Sequence, residues 1–161
     1  ALDRPQGVET VPITSTLDLY REVTERAKAA DLVIQAAAPA DFRPLEAAQH
    51  KIKKTGEGMA LQLTPNPDVA AQLGRDKHDG QVLVAFAAET DDLIANARKK
   101  LDRKNADMVV ANDVTQPGAG FAGDTNRVTL VTRSDARALP LMSKRDVAEA
   151  ILDRALELMR P

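Results

Sequence analysis

The amino-acid sequence predicts a three-layer, Rossmann-like α/β domain, with a mainly parallel sheet and an antiparallel hairpin near its C-terminal end. Three observations predict it. Continuous apolar runs at 31–38, 81–88 and 108–111 read as strands covered on both faces. Segments of helical apolar spacing alternate with them, the order that parallel βαβ units require. Two further strand patterns, 127–132 and 136–142, flank Arg133-Ser-Asp135 and read as a hairpin.

Taken in order, 8–13 (V-E-T-V-P-I) predicts a short strand. Ser15 and Thr16 then offer N-cap hydroxyls, and Leu19, Tyr20, Val23 and Ala27 follow at helical spacing, so 16–30 predicts an amphipathic helix. The strand at 31–38 would close a first βαβ unit. Residues 39–58 show no clean period and read as a long functional loop, followed by a weakly alternating strand pattern at 59–63. Asn66-Pro67-Asp68 is a helix start, with Asn as N-cap, Pro at the first helical position and Asp in the first turn; that helix should end near Gly74. After the strand at 81–88, Glu89-Thr90-Asp91 opens a helix reaching about Arg103. The strand at 108–111 leads into a Gly-rich loop at 116–123. Ser143 and Asp146 mark a capping box for a last helix through Met159, with Leu141, Val147, Ile151, Ala155 and Leu158 as its apolar stripe.

Composition removes several functions. The 161 residues suit one domain with a real core. Only Tyr20, Phe42, Phe86 and Phe121 are aromatic, too few for a base-stacking platform on single-stranded nucleic acid. A net charge of −2 supplies no general attraction to nucleic acid or anionic membrane. There is no cysteine and only His50 and His78, which removes disulfides and Cys- or His-rich metal sites. A hard cation held by carboxylates and bound phosphate stays open. No apolar run approaches ~20 residues, and 1–7 lacks the apolar core of a signal peptide, so the expected location is the cytoplasm.

Gly118-Ala-Gly120-Phe-Ala-Gly123 spells G-x-G-x-x-G. A dinucleotide fingerprint must open a helix, so that amide groups and the helix dipole face the pyrophosphate. A strand pattern follows here instead, which predicts an ordinary loop. Lys51-Ile-Lys-Lys54 concentrates three cations that can grip phosphate, or can form a solvated basic loop. Lys100 and Lys104 stand one helical turn apart, where cations also complement the helix dipole. Asp41 follows a strand at the edge where open α/β sheets place ligand contacts, though turn chemistry also favours aspartate there. Together these residues point to a ligand with phosphates, and chemistry alone stops there.

The order and spelling of the segments carry a resemblance. Ala36-Ala-Ala-Pro-Ala-Asp-Phe-Arg-Pro44, Lys51-Ile-Lys-Lys54, Asn66-Pro-Asp-Val69, Phe86-Ala-Ala-Glu-Thr90 and Ala97-Arg-Lys-Lys-Leu101 stand in series. Lys104-Asn105, Ala111-Asn-Asp-Val114, Asn126 and Ser143-Lys144 complete it. The chain resembles the bacterial phosphopantothenoylcysteine synthetase family along nearly its whole length, departing at Pro39, where related chains usually carry an aliphatic or small residue. The resemblance implies a single domain over 1–161 whose family counterpart opens with a further strand, Gly/Ser-rich loop and helix. It implies CTP-dependent ligation of 4′-phosphopantothenate to cysteine through an acyl-cytidylate, releasing CMP and pyrophosphate, with Mg2+ and no flavin in this chain. It further implies a homodimer, with the 127–142 hairpin as pairing surface, and fusion to a flavin-dependent decarboxylase domain. By motif position it implies a catalytic role for Lys51. It implies nucleotide contacts from Asp41, Lys51, Pro67, Asp68, Val69, Ala70, Phe86, Lys100 and Lys104, with Asp68 also a metal ligand.

Two other readings stand beside it. A dinucleotide-dependent oxidoreductase would need a helix after Gly123. A non-catalytic nucleotide-binding or dimerisation module would bind CTP without turnover.

Overall fold

One five-stranded sheet, with a different set of helices against each face, organises the chain. The computed structural model describes residues 4–46, 48–53, 56, 58–89, 91–113 and 123–160. Helix α1 (Thr16–Ala27) is followed by β1 (Leu32–Gln35), then by the ribbon strands β2 (Phe42–Pro44) and β3 (Leu63–Pro65). Helix α2 (Val69–Asp76), β4 (Val82–Glu89), α3 (Leu93–Lys104) and β5 (Met108–Asp113) come next. Strands β6 (Thr125–Asn126), β7 (Val128–Thr132), β8 (Ala136–Ala138) and β9 (Met142–Ser143) precede α4 (Lys144–Met159). The sheet order is β1-β4-β5-β7-β8. β1, β4 and β5 run parallel, and β7 and β8 add antiparallel. The predicted architecture and its C-terminal hairpin are therefore present.

Side-chain alternation explains the two faces. Leu83, Ala85, Ala87, Val109, Ala111 and Val131 pack with Val69 and Leu73 of α2, Ala97 and Leu101 of α3, and the apolar stripe of α1. The opposite positions, Val82, Val84, Met108, Val110, Val128 and Leu130, pack against Val147, Ile151 and Ala155 of α4. Leu141 does not join that stripe; it is 44% exposed, because it lies beyond the N-cap of α4.

Several expectations are corrected. No strand forms at 8–13 among the described residues; Val8 and Ile13 are exposed there, and the sheet ends at β1 with no further strand to pair. As an edge strand β1 is short, and Ile34 is 37% exposed, so it is not covered on both faces. The strand expected at 59–63 forms at Leu63–Pro65, where it pairs with Phe42–Pro44; Met59 and Leu61 are exposed. The N-cap of α2 is Asp68, not Asn66. Asn66 is engaged otherwise, donating Nδ2 to the Ala40 carbonyl at 2.8 Å and accepting from Arg43 at 3.2 Å. As expected, α2 ends near Gly74, two residues on at Asp76, and Gly74 itself meets the last turn of α3. Thr90 and most of the Gly-rich loop, 116–122, lie outside the described residues; after Gly123 the chain enters β6 and β7, not a helix. Among the described residues no helix is long and apolar enough to cross a membrane.

Candidate functional site

In open α/β sheets ligands bind beyond the carboxyl ends of the strands. A cavity of about 470 Å³ occupies that position here, at the ends of β1, β4 and β5. Its walls are 35–41, from the last residue of β1 onward, the turn 66–70 entering α2, residues 85–88 of β4, the last turns of α3, and Asn112 of β5.

The α2 entry is built by one carboxylate. Asp68 accepts the Ala71 N–H on Oδ1 at 3.0 Å, which caps the helix. Its Oδ2 accepts from the Lys104 ammonium, so the start of α2 is tied to the end of α3. Asp41 stands on the rim, and its backbone carbonyl accepts the Asn66 N–H at 2.8 Å, so the residue before β2 is held against the residue after β3. The first helical residues, Val69 and Ala70, line the cavity, where amide groups without intrahelical partners favour an anion.

Cations gather on the α3 wall. Lys100, Arg103 and Lys104 all line the cavity, because positions three and four apart share a helical face. Lys104 is 5% exposed. Burial pushes the Lys100 ammonium below the ordinary lysine range; the charges of Lys104 and Arg103 add to this, while Glu89 and Asp68 oppose it. Burial raises the Asp68 carboxyl, but the hydrogen bond from Lys104, the Ala71 N–H and the charges of Lys104 and Arg103 outweigh it and hold Asp68 below the usual carboxylate value. Only one of the three cations is matched by the Asp68 carboxylate, so this wall suits a polyanion.

The structure brings Asp41, Pro67, Asp68, Val69, Ala70, Phe86, Lys100 and Lys104 together around one cavity. It does not bring Lys51. That residue is exposed on the connection between β2 and β3 and lines no part of the cavity; Lys53 is exposed beside it, and Lys54 lies outside the described residues. Sequence reasoning passed over Gln35, Asn66, Arg103 and Asn112 as site residues, all of which line the cavity. Arg103 carried a usable signal, three residues after Lys100. Gln35 and Asn112 carried the signal already used for Asp41, a polar residue where an apolar strand ends.

Among the described residues no group of three or more His, Cys, Asp or Glu is placed to hold a metal ion. The cavity offers the Asp41 and Asp68 carboxylates singly. That sparse donor set fits a magnesium ion held mainly by ligand phosphates.

The family model for the DNA/pantothenate metabolism flavoprotein C-terminal domain matches residues 1–159. The coenzyme A biosynthesis bifunctional protein CoaBC of Bacillus subtilis (strain 168) is 45% identical over 162 residues, covering 99% of this chain and 40% of that protein. A cysteine/cysteine sulfinic acid decarboxylase from an unknown prokaryotic organism is 41% identical over 155 residues, covering 96% of this chain and 43% of that protein. The chain thus spans about two-fifths of these relatives' length. The crystal structure of the C-terminal domain of a coenzyme A biosynthesis bifunctional protein CoaBC superposes with a TM-score of 0.79 at 37% identity, covering 99% of this chain and 71% of that one.

Proposed function

The chain belongs to the DNA/pantothenate metabolism flavoprotein C-terminal domain family, and from that membership we propose that it carries the phosphopantothenate–cysteine ligase step of coenzyme A biosynthesis. The observation that carries this reading is the cavity at the parallel strand ends, where Lys100, Arg103 and Lys104 face the N-terminus of α2. Such a site suits a nucleoside triphosphate, which we take to be CTP.

The reaction has two displacements. A carboxylate oxygen of 4′-phosphopantothenate attacks the α-phosphorus of CTP, and pyrophosphate leaves, giving the acyl-cytidylate. The amine of cysteine then attacks the acyl carbon, and CMP leaves with the bonding pair, giving phosphopantothenoylcysteine. In this scheme Lys100 and Lys104 bind and orient the phosphates and offset charge that develops on the departing pyrophosphate. The first turn of α2 (Val69 and Ala70, after Pro67) frames the nucleotide, Asp41 meets the ribose or base, and Phe86 walls the base. Magnesium, which would screen phosphate charge when bound, would be held by those phosphates with Asp68 or Asp41. Lys51 would serve the transfer itself, approaching from the β2–β3 connection.

The protein is expected in the cytoplasm and as a homodimer. The outer edge of β8, exposed at all three residues, is a candidate pairing edge. Fusion to a decarboxylase domain is in keeping with relatives named as bifunctional and with one named as a decarboxylase.

The test is incubation of the chain with CTP, 4′-phosphopantothenate, cysteine and magnesium, with CMP and phosphopantothenoylcysteine followed by chromatography. Stoichiometric formation of both supports the ligase. CTP binding with no product would favour the non-catalytic nucleotide module instead.

A further inference from the structure

Two walls of the cavity come from stretches far apart in the chain: 35–41, which continues β1, and 66–70, which enters α2. Asn66 joins them. Its Nδ2 donates to the Ala40 carbonyl at 2.8 Å, and its backbone N–H donates to the Asp41 carbonyl at 2.8 Å. Its Oδ1 accepts from Arg43 Nη1 at 3.2 Å, and the same nitrogen donates to the Pro65 carbonyl at 2.6 Å. One end of the carboxamide meets a carbonyl oxygen and the other a guanidinium, so a single orientation of the amide satisfies both.

This brace does not serve the helix it precedes. Asp68 caps α2 through the Ala71 N–H and also ties it to Lys104, so the first turn of α2 is built without Asn66. What Asn66 holds is the opposite wall. Ala40, Asp41 and Phe42 are all exposed, so little apolar packing fixes that stretch, and hydrogen bonds set where Asp41 stands. The contacts cluster at the base of the β2–β3 ribbon, where Phe42 pairs with Pro65.

We propose that Asn66 is a positioning residue: it holds the Asp41 rim at a set distance from the first turn of α2, with Arg43 orienting its carboxamide. This deepens the nucleotide reading above and rests on it. In that reading Asp41 meets the ribose or base, while Lys100, Lys104 and the α2 turn hold the phosphates. Asn66 acts through Asp41, so it sets the spacing between the nucleoside half of the site and the phosphate half before any ligand arrives. Without the brace the rim must be ordered as the nucleotide binds, and that ordering lowers affinity. A ligand that has phosphates and no nucleoside does not need the rim.

The experiment is calorimetric titration of the chain, Asn66→Ala, Arg43→Met and the double variant with CTP and with inorganic triphosphate in magnesium. Thermal melts show that each variant is folded at the titration temperature. Asn66→Ala is expected to lose about tenfold in CTP affinity and to keep triphosphate affinity within about threefold. Arg43→Met should lose about threefold toward CTP, since the carboxamide stays but is no longer oriented. The double variant should bind CTP as Asn66→Ala does, because Arg43 works through Asn66. Equal losses toward CTP and triphosphate would mean a general structural role, and additive losses in the double variant would mean that Arg43 does not act through Asn66; either result overturns the proposal. Should Asn66→Ala fail to fold, Asn66→Ser, too short to span both partners, carries the same expectations. CTP binding that is unchanged by substitution at Asn66 removes this proposal alone; a native chain that binds neither CTP nor triphosphate removes the nucleotide reading with it.

Discussion

Lys104, the last residue of α3, donates to the carboxylate of Asp68, the N-cap of α2, so one ion pair joins two helix ends at the rim of the cavity. The two partners are unequal: the lysine side chain is 6% exposed and the aspartate side chain 52%. Removing the carboxylate leaves a buried ammonium without its partner and α2 without its cap. Asp68→Ala is expected to cost about 2 kcal/mol, less than for a fully buried pair because the carboxylate is half exposed. That corresponds to a Tm lower by roughly 4–8 °C. Asp68→Asn keeps a good N-cap and should lose less. Thermal melts of both variants check the order.

Gly74 tests the same helix junction from the other side. A Cβ there would overlap the Lys104 carbonyl oxygen, 2.8 Å from its carbonyl carbon, and would sit 3.2 Å from the Asn105 Cβ. The Gly74 carbonyl also accepts from Asn105 Nδ2 at 2.9 Å. In an isolated helix Gly→Ala stabilises by about 1 kcal/mol. Here Gly74→Ala should instead destabilise by about 3 kcal/mol, because backbone must move. The sign measured in denaturant melts decides between the two.

The depressed Lys100 ammonium makes binding proton-linked. Burial is the main cause, so the folded chain holds this proton less tightly than the unfolded chain. In the window between the depressed value and 10.5, the unfolded state carries more protons and stability rises with pH; below the window the cost of the buried charge is fully present. A bound polyphosphate favours the ammonium and should draw a proton onto Lys100 within that window. Titrations with CTP at alkaline pH, in two buffers of different ionisation enthalpy, should show proton uptake in the native chain and none in Lys100→Met. Equal uptake in both would assign the proton elsewhere.

Lys51 separates binding from transfer. Because it lines no part of the cavity, Lys51→Gln is expected to bind CTP within threefold of the native chain. Its ligation rate should nevertheless fall at least a hundredfold, the scale of removing one charge-stabilising donor. Full retained turnover would end its catalytic role.

Much of the scaffold was legible in the chain. The apolar runs of β4 and β5 are unbroken and bounded by turn residues, the pattern of strands in a sheet covered on both sides. The Arg133-Ser-Asp135 turn and the Ser143 cap are local signals, and both form where expected. What was not legible depended on partners distant in sequence. The segment V-E-T-V-P-I at 8–13 is rich in strand-favouring residues, but strand pairing is a property of neighbours. Asn66 is a good cap in isolation, yet it is drawn off to Ala40 and Arg43, and the cap falls to Asp68. At the site, Lys100 and Lys104 were legible because helical spacing puts them on one face. Asn112 carried the same signal as Asp41, a polar residue where an apolar strand ends, but that signal alone does not say which strand ends line the cavity. Lys51 stood out through charge density, and charge density does not say where a long connection lies.

The central claim is a nucleotide triphosphate site between α2 and the end of α3, and calorimetric titration of the chain with CTP in magnesium tests it most directly. The account predicts a Kd in the micromolar range, weakened at least tenfold in Lys100→Gln. Absence of binding to the native chain, or equal affinity in the variant, would contradict it.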